Sequence, residues 1–303
     1  MNALYHNSFY AMGTRCYIVL PGIGEDRGEQ VFEVIRQEVK RIESSLSRFI
    51  PHSEISIINK NAITEPVTVS PEIFDVLWTC KKYYEWTRGA FDITMRPLLE
   101  YWKGKPSNDE SDLRLYELMD SIGMNRIQLN EEEQTVAFEN ETIEIDLGGF
   151  GKGYALDKCR ELLQKASVEN AFISFGESSV LTLGRHPAGD HWKVGLNNYS
   201  QPGEALHTFA VNEASVSTSS NFFVDDNGKL CNHRHVINPF TGYPVEKCMT
   251  VSVCSGSSLV AEVLSTAFLV SSEETIRTVM EEVESCSVVK IDYSTETPEV
   301  TTI

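Results

Sequence analysis

The most constraining feature of this chain is a glycine-rich segment, Ile145-Asp-Leu-Gly-Gly-Phe-Gly-Lys-Gly-Tyr-Ala-Leu-Asp157, with four glycines within six residues. A strand that ends at Asp146 and a helix that begins near Lys152 would bring backbone N–H groups and a lysine close to an anion. A Walker A loop needs Ser or Thr after Gly-Lys, and the glycines lack the G-x-G-x-x-G spacing of dinucleotide-binding folds. The pattern alone is equally typical of an anion site and of a structural glycine turn.

The remaining periodicity predicts helices and strands in no strict βαβ order, which favours an α+β fold over a doubly wound sheet. One helix begins where Ser70 can act as N-cap and Pro71 can occupy the first helical position. We predict helices at residues 31–46, 70–88, 152–166 and 258–270, and strands at 17–20, 135–145, 171–175, 180–183, 192–196, 206–211, 249–254 and 287–293. Residues 104–113 are polar and breaker-rich, which predicts a surface excursion.

Composition limits the classes of partner and the compartment. The formal net charge of -18 opposes association with nucleic acid or anionic lipid. No apolar run is long enough to span a bilayer, and residues 1–11 do not resemble a signal peptide, so we expect a cytoplasmic protein. The seven cysteines include no C-x-x-C pair, which favours buried free thiols over a zinc or redox site.

Two further segments contain residue types that suit catalysis or metal binding. His235 precedes the turn signals Asn-Pro and Thr-Gly, where a histidine could act as a base or hydrogen-bond donor, or be merely structural. Glu262 and Thr266 are spaced to share one helical face, and their oxygens suit a hard cation such as Mg²⁺. The same spacing is more often a solvated helix face. Gly176-Glu-Ser-Ser-Val180 lacks the closing glycine of a nucleophile elbow.

Taken in order along the chain, these segments resemble the ApbE-type FAD:protein FMN transferase family. The matching pieces run from about Phe9 to Val270: Ala11-Met-Gly-Thr14, Leu46-Ser-Arg-Phe49, Ser53-Glu54-Ile55, Gly89-Ala-Phe-Asp92, Asp146 to Asp157, Ser217-Thr-Ser219, His235-Val-Ile-Asn-Pro-Phe-Thr-Gly242, and Ala261 to Ala267. Each piece is weak alone, whereas the ordered set is specific. The resemblance implies two T-fold-like halves with mostly antiparallel sheets, forming one domain over residues 1–303 as two intimate subdomains.

The resemblance also implies a set of site residues. Those that would line the FAD site are Met12, Phe49, Ala90, Phe91, Asp92, Asp146, Lys152 and Ile237. Those that would hold the metal are the Gly149 backbone oxygen, Glu262, Ser265 and Thr266. His235 is the candidate base, and Asp146 has a binding or orienting role.

The implied activity transfers FMN from FAD, the substrate, to a threonine hydroxyl of an acceptor flavoprotein with release of AMP, with Mg²⁺ as cofactor. Alternatives are an Mg²⁺-dependent FAD pyrophosphatase, in which water replaces the threonine, and an FAD-binding protein without turnover. The chain departs from the family pattern at three positions. It has Glu262 where Asp is usual, Ser265 where some members carry a second Asp, and Asn238 where the histidine turn usually has Asp.

Overall fold

The structure is a computed structural model that describes residues 3–103, 113–199, 201, 203–225, 229–232, 235–283 and 285–303. Its helices are α1 Glu25–Leu46, α2 Glu54–Asn61, α3 Pro71–Trp86, α4 Arg96–Trp102, α5 Leu113–Ser121, α6 Gly151–Lys165, α7 Ser258–Phe268 and α8 Glu273–Met280. Its strands are β1 Leu4–Ala11, β2 Thr14–Pro21, β3 Val67–Thr68, β4 Ile127–Asn130, β5 Thr135–Phe138, β6 Ala171–Phe175, β7 Ser179–Leu183, β8 Trp192–Asn197, β9 Ala205–Val211, β10 Ser215–Ser220, β11 Phe222–Val224, β12 Leu230–Asn232, β13 Met249–Ser255, β14 Ser287–Asp292 and β15 Glu299–Thr302.

An eight-stranded sheet in the order β1-β2-β6-β7-β10-β13-β14-β15 forms the centre of the fold. Every neighbouring pair in it is antiparallel. Smaller sheets are formed by β3-β5-β4, β8-β9 and β11-β12. The predicted α+β class is therefore confirmed, while the division into two subdomains remains a proposal.

Helices α1, α6 and α7 pack on one another and on the central sheet, with α7 against β7, β10 and β13. Most residues of helix α7 are buried, because the helix packs between the central sheet and α6. Its N-terminus is capped twice: Ser257 Oγ accepts from Val260 N, and the Asp157 carboxylate accepts from Ser258 N at 2.7 Å. The last residue of the glycine-rich segment thus connects α6 to α7.

Most of the predicted elements are present, including α3 with Ser70 as N-cap and Pro71 in its first turn. The elements that were not predicted include β1, α2, α4, α5, α8 and β15, all of which are short. The predicted surface excursion at 104–113 lies outside the described residues except for Leu113, which begins α5. Within the described residues, no helix is long and apolar enough to cross a membrane.

The predicted strand 135–145 is wrong in its second half, because β5 ends at Phe138. The residues around Ile145 belong to no strand, and a side chain provides the backbone hydrogen bonds that a neighbouring strand would make. Asn59 donates to the Ile145 carbonyl at 2.9 Å and accepts from Ile145 N at 2.7 Å. The Asp146 N–H donates to the Ile93 carbonyl at 2.8 Å. These bonds satisfy the backbone without a ladder, so the glycine-rich turn is anchored at its start by α2 and residue 93.

Candidate active site

A cavity of about 650 Å³ lies where the glycine-rich turn, α7 and strand β10 meet the 90–99 segment. Its lining includes ten of the thirteen predicted site residues: Ala90, Phe91, Asp92, Asp146, Gly149, Lys152, His235, Ile237, Glu262 and Thr266. These residues are far apart in the chain, and the fold brings them to one site. The cavity is of the size that drug-sized ligands and cofactors occupy.

Asp146 fixes the conformation of the turn that precedes α6 and, through Arg48, ties this turn to the residues after α1; we call this arrangement the Asp146 clamp. One carboxylate oxygen accepts from the Gly148 N–H at 2.9 Å, and the other accepts from Arg48 Nε at 2.6 Å. Both oxygens therefore have donors within the protein. This arrangement orients the turn and leaves Asp146 poorly suited to accept a proton from a substrate.

Lys152 and Glu262 form a close ion pair at the base of the cavity. Glu262 is 3 % exposed, and its second oxygen accepts from Ser179 Oγ at 2.6 Å and Ser217 Oγ at 2.9 Å. A buried carboxylate is tolerated because these partners compensate its lost hydration. Glu262 thus lies in the site interior, rather than on the solvated helix face that is the commoner outcome for such spacing.

A network of hydroxyl groups surrounds this ion pair. Ser219 Oγ lies 2.9 Å from Ser265 Oγ and 3.3 Å from Thr266 Oγ1. The Gly149 backbone is close to the same threonine, because a Cβ at residue 149 would lie 3.3 Å from Thr266 Oγ1. The proposed metal donors are therefore neighbours, and all of them are oxygens, the donor type that Mg²⁺ prefers.

This donor set contains one carboxylate. No group of three or more His, Cys, Asp and Glu residues that could hold a metal ion occurs in the described part of the chain. A magnesium ion that keeps waters and substrate phosphate among its ligands is compatible with a single protein carboxylate. The residues present therefore fit such an ion, provided that the Lys152 ammonium moves away from Glu262 when the ion binds.

Gly153 allows α6 and α7 to approach closely at this point. A Cβ at residue 153 would lie 2.7 Å from both Glu262 Cβ and the Ser258 carbonyl oxygen. We expect Gly153→Ala to destabilise the protein by about 1–3 kcal/mol, because the helices must move apart. Gly151→Ala is the matched control, since a Cβ there meets nothing within 4 Å. Urea unfolding of both variants tests this, and equal stabilities would contradict it.

Asp92 stabilises the wall formed by residues 90–95. Its Oδ1 accepts from Thr94 N at 2.8 Å and from Thr94 Oγ1 at 2.7 Å. Thr94 Oγ1 in turn accepts from the Gly123 N–H. Burial raises the pKa of the Asp92 carboxyl above its usual value, although the bonds from Thr94 oppose this. Asp92 shapes the cavity wall through these bonds.

His235 lies at the exposed edge of the cavity, beside a tight turn over residues 238–242. Asn238 holds this turn, because its side-chain oxygen accepts from Phe240 N and its carbonyl accepts from Gly242 N, both at 2.8 Å. The Gly242 carbonyl then accepts from Trp102 Nε1 at 2.7 Å. An asparagine oxygen makes the same turn bond as an aspartate oxygen, so the departure at Asn238 preserves the turn.

Three of the predicted site residues are not part of the cavity lining: Met12, Phe49 and Ser265. Ser265 lies directly behind the lining, where it bonds Ser219. Phe49 is 76 % exposed, and its ring lies 3.9 Å from the Arg48 guanidinium that holds Asp146. Met12 has φ 51° in the turn between β1 and β2, beside Thr14, which touches Gly176 of the lining. Both residues are therefore next to the cavity.

Sequence reasoning assigned no site role to several residues that the structure places there. Ser179 belongs to the segment Gly176–Val180 that lacks the pattern of a nucleophile elbow, and it donates to Glu262. Arg96 and Tyr199 line the cavity, with no motif around them to mark them. Glu177 also lines it, at φ 63°, a conformation that is uncommon outside glycine. The adjoining Gly176 at φ 56° was the available signal for a turn there.

Comparisons with known proteins agree with this geometry. The model of the ApbE family matches residues 12–289. An FAD:protein FMN transferase of Klebsiella pneumoniae is 29% identical over 276 residues, covering 88% of this chain and 82% of that protein. One of Haemophilus influenzae is 25% identical, covering 81% of this chain and 74% of the relative.

Solved structures show the same fold. The crystal structure of the ApbE protein from Thermotoga maritima aligns with a TM-score of 0.80 at 25% identity, covering 98% of this chain and 96% of that one. The flavin transferase ApbE from Vibrio cholerae aligns with a TM-score of 0.83 at 21% identity, covering 100% and 97%.

Proposed function

This chain belongs to the ApbE family, and we propose that it is an FAD:protein FMN transferase that moves FMN from FAD to a threonine hydroxyl of an acceptor flavoprotein. The observation that carries the proposal is the Lys152–Glu262 ion pair, in which a buried carboxylate holds a partly exposed lysine that lines a cavity of about 650 Å³. A lysine, backbone N–H groups and oxygen donors together suit a diphosphate with its counter-ion. The family supplies the identity of that diphosphate as FAD.

The reaction exchanges one P–O bond for another. The acceptor hydroxyl oxygen attacks the FMN-side phosphorus, the bond to the AMP oxygen breaks, and AMP leaves as a phosphate monoester. Such transfers depend chiefly on positioning and on neutralising charge. Lys152 supports the diphosphate, and the Asp146 clamp with Arg48 keeps the 146–149 turn in place.

His235 accepts the proton that the attacking hydroxyl loses. Its exposed position at the cavity edge suits this role, because an acceptor that is itself a protein must present its threonine from outside. Ile237 and Phe91 are buried and present apolar surface to the same cavity, where an isoalloxazine ring can pack. We assign Met12, Phe49, Ala90 and Asp92 to the flavin side on the basis of the family resemblance.

We propose that Mg²⁺ is held by the Gly149 carbonyl oxygen, Glu262, Ser265 and Thr266. When bound, the ion supplies positive charge that stabilises the diphosphate during transfer. Ser219 orients two of these donors through its bonds to Ser265 and Thr266. The single carboxylate implies that the ion binds more tightly when FAD contributes phosphate oxygens.

Intact mass spectrometry tests the proposed function. Purified protein, FAD and Mg²⁺ are mixed with a flavoprotein domain that carries the acceptor threonine, and we expect the mass of the acceptor to increase by that of one FMN group. The same domain with its threonine changed to valine is the matched control and should gain nothing. EDTA should abolish the gain in mass, and AMP should appear in equal amount to the labelled acceptor.

Other outcomes distinguish the alternative functions. AMP and free FMN without labelling of the acceptor would identify a pyrophosphatase, in which water takes the place of threonine. FAD that binds and remains intact would identify a binding protein. Either result contradicts the transferase assignment while leaving the FAD site in place.

A further inference from the structure

Negative charge exceeds positive charge in the cavity. The charged residues of its lining, apart from His235, are Asp92, Asp146, Glu177 and Glu262 against Arg96 and Lys152. A diphosphate brings further negative charge into this low-dielectric space. Its binding therefore depends on cationic donors that the protein's own carboxylates do not fully occupy.

Two of the nearby cations have strong partners within the protein. Lys152 is paired with the buried Glu262, and Arg48 donates to Asp146 at 2.6 Å. Binding of a phosphate to Lys152 must weaken its bond to Glu262. Arg48 orients the turn only while it holds Asp146, and it does not itself line the cavity.

Arg96 differs from both of these cations. It begins α4 in the cavity wall, and its Nε–H is buried with no hydrogen-bond acceptor among the described residues. The far end of the guanidinium pairs with Glu100, one turn along the same helix. Buried polar groups are nearly always hydrogen-bonded, so this position of the side chain leaves one donor unsatisfied, and a movement of the guanidinium towards an acceptor would relieve that cost.

We propose that Arg96 is a substrate-binding residue that donates hydrogen bonds to a phosphate oxygen of FAD. The guanidinium presents several N–H donors in a fixed plane that matches phosphate geometry. The Arg96 side chain lines the cavity and is 22 % exposed, so a ligand can reach its accessible atoms, although Nε itself is covered. Arg96 supplies positive charge to a cavity in which carboxylates outnumber cationic side chains, and this charge would attract the diphosphate. This inference rests on the proposed function, because that function supplies the diphosphate.

The ion pair with Glu100 gives the competing explanation. Arg96 could serve only to stabilise α4 through this pair, which spans four residues on the helix surface. Glu100 is exposed, with 42 % of its side-chain area accessible, and pairs of this kind contribute little to stability. They also leave the buried Nε–H without an acceptor. A role confined to α4 therefore explains only the outer end of the side chain.

Affinity measurements with three ligands test the proposal. FAD carries the diphosphate with the flavin, riboflavin carries the flavin without phosphate, and ADP carries the diphosphate without flavin. In Arg96→Gln, FAD and ADP should bind roughly 10- to 100-fold more weakly, the loss expected for a charge-assisted hydrogen bond. Riboflavin affinity should stay within about twofold of wild type, since no phosphate contact is lost.

Glu100→Gln is the matched control. It breaks the same ion pair but leaves the guanidinium in place, so the affinity for FAD should be unchanged or higher. Circular dichroism and thermal melting verify that both variants are folded. If Glu100→Gln weakens FAD binding as much as Arg96→Gln does, Arg96 acts through α4 and the proposal is wrong.

Two further results would overturn it. An Arg96→Gln protein with wild-type affinity for FAD shows that the guanidinium does not bind phosphate, whereas the proposed function stands because wild-type protein binds FAD. Equal loss for riboflavin and FAD shows a general change of the cavity. Wild-type protein that binds no FAD contradicts both the inference and the proposed function.

Discussion

Replacing His235 with alanine should lower the rate of FMN transfer by about 10²- to 10⁴-fold, the usual contribution of a positioned general base. The imidazole lies at the exposed edge of the cavity, where the proposed mechanism has the acceptor hydroxyl enter, and no other histidine lines this cavity among the described residues. Single-turnover labelling of the acceptor at saturating FAD, followed by intact mass, measures the rate of the transfer step itself.

FAD affinity should be nearly unchanged in His235→Ala, because the proposed role concerns the acceptor proton rather than the flavin. His6→Ala is the matched control, since His6 is on the exposed face of β1 and does not line the cavity. His235→Gln should be as slow as alanine, because glutamine can donate a hydrogen bond but cannot take up the proton. A His235→Ala rate within about twofold of wild type would assign the proton to another acceptor.

Local sequence signals predicted the parts of the site that depend on backbone chemistry. The glycine-rich segment predicted a close approach of the backbone to a ligand, and Gly148 and Gly149 do line the cavity, whereas Gly153 allows close packing against Glu262 and Ser258 instead. The turn signals after His235 predicted a sharp turn, which Asn238 closes. The α+β class followed from elements that do not keep a βαβ rhythm, whereas the mostly antiparallel sheets were implied by the family resemblance.

Other parts of the site depend on contacts between segments that are remote in the chain. Asn59 replaces a neighbouring strand for Ile145 from 86 residues away. Ser179 at the start of β7 reaches Glu262 on α7, and the periodicity around either residue contains no sign of the other. Arg96 is an ordinary helix residue by propensity, and only its position in the cavity wall distinguishes it. Pattern analysis of one sequence cannot identify such pairs, because the information lies in tertiary packing.

Glu262→Gln should reduce FMN transfer by about 10²- to 10³-fold, which corresponds to the several kcal/mol that a catalytic metal ion contributes. The substitution preserves the size of the side chain and removes its charge. Ser179 and Ser217 can reorient their hydroxyl groups towards the amide, whereas the Lys152 ammonium loses its counter-charge. Glu262→Asp retains the carboxylate, and we expect it to keep more activity than Glu262→Gln.

Glu262 has two proposed roles, which are to bind the metal ion and to hold the Lys152 ammonium. Lys152→Gln separates these roles, because it removes the ion pair and leaves the carboxylate in place. Mn²⁺ binding, followed by electron paramagnetic resonance with FAD present, is the measurement that distinguishes them. We expect Glu262→Gln to lose Mn²⁺ binding and Lys152→Gln to retain it, although both transfer FMN slowly. Equal Mn²⁺ affinity in the two variants would mean that Glu262 serves only to hold Lys152. In that case the metal would depend on the Gly149 carbonyl, the Thr266 hydroxyl and the substrate phosphates for its ligands.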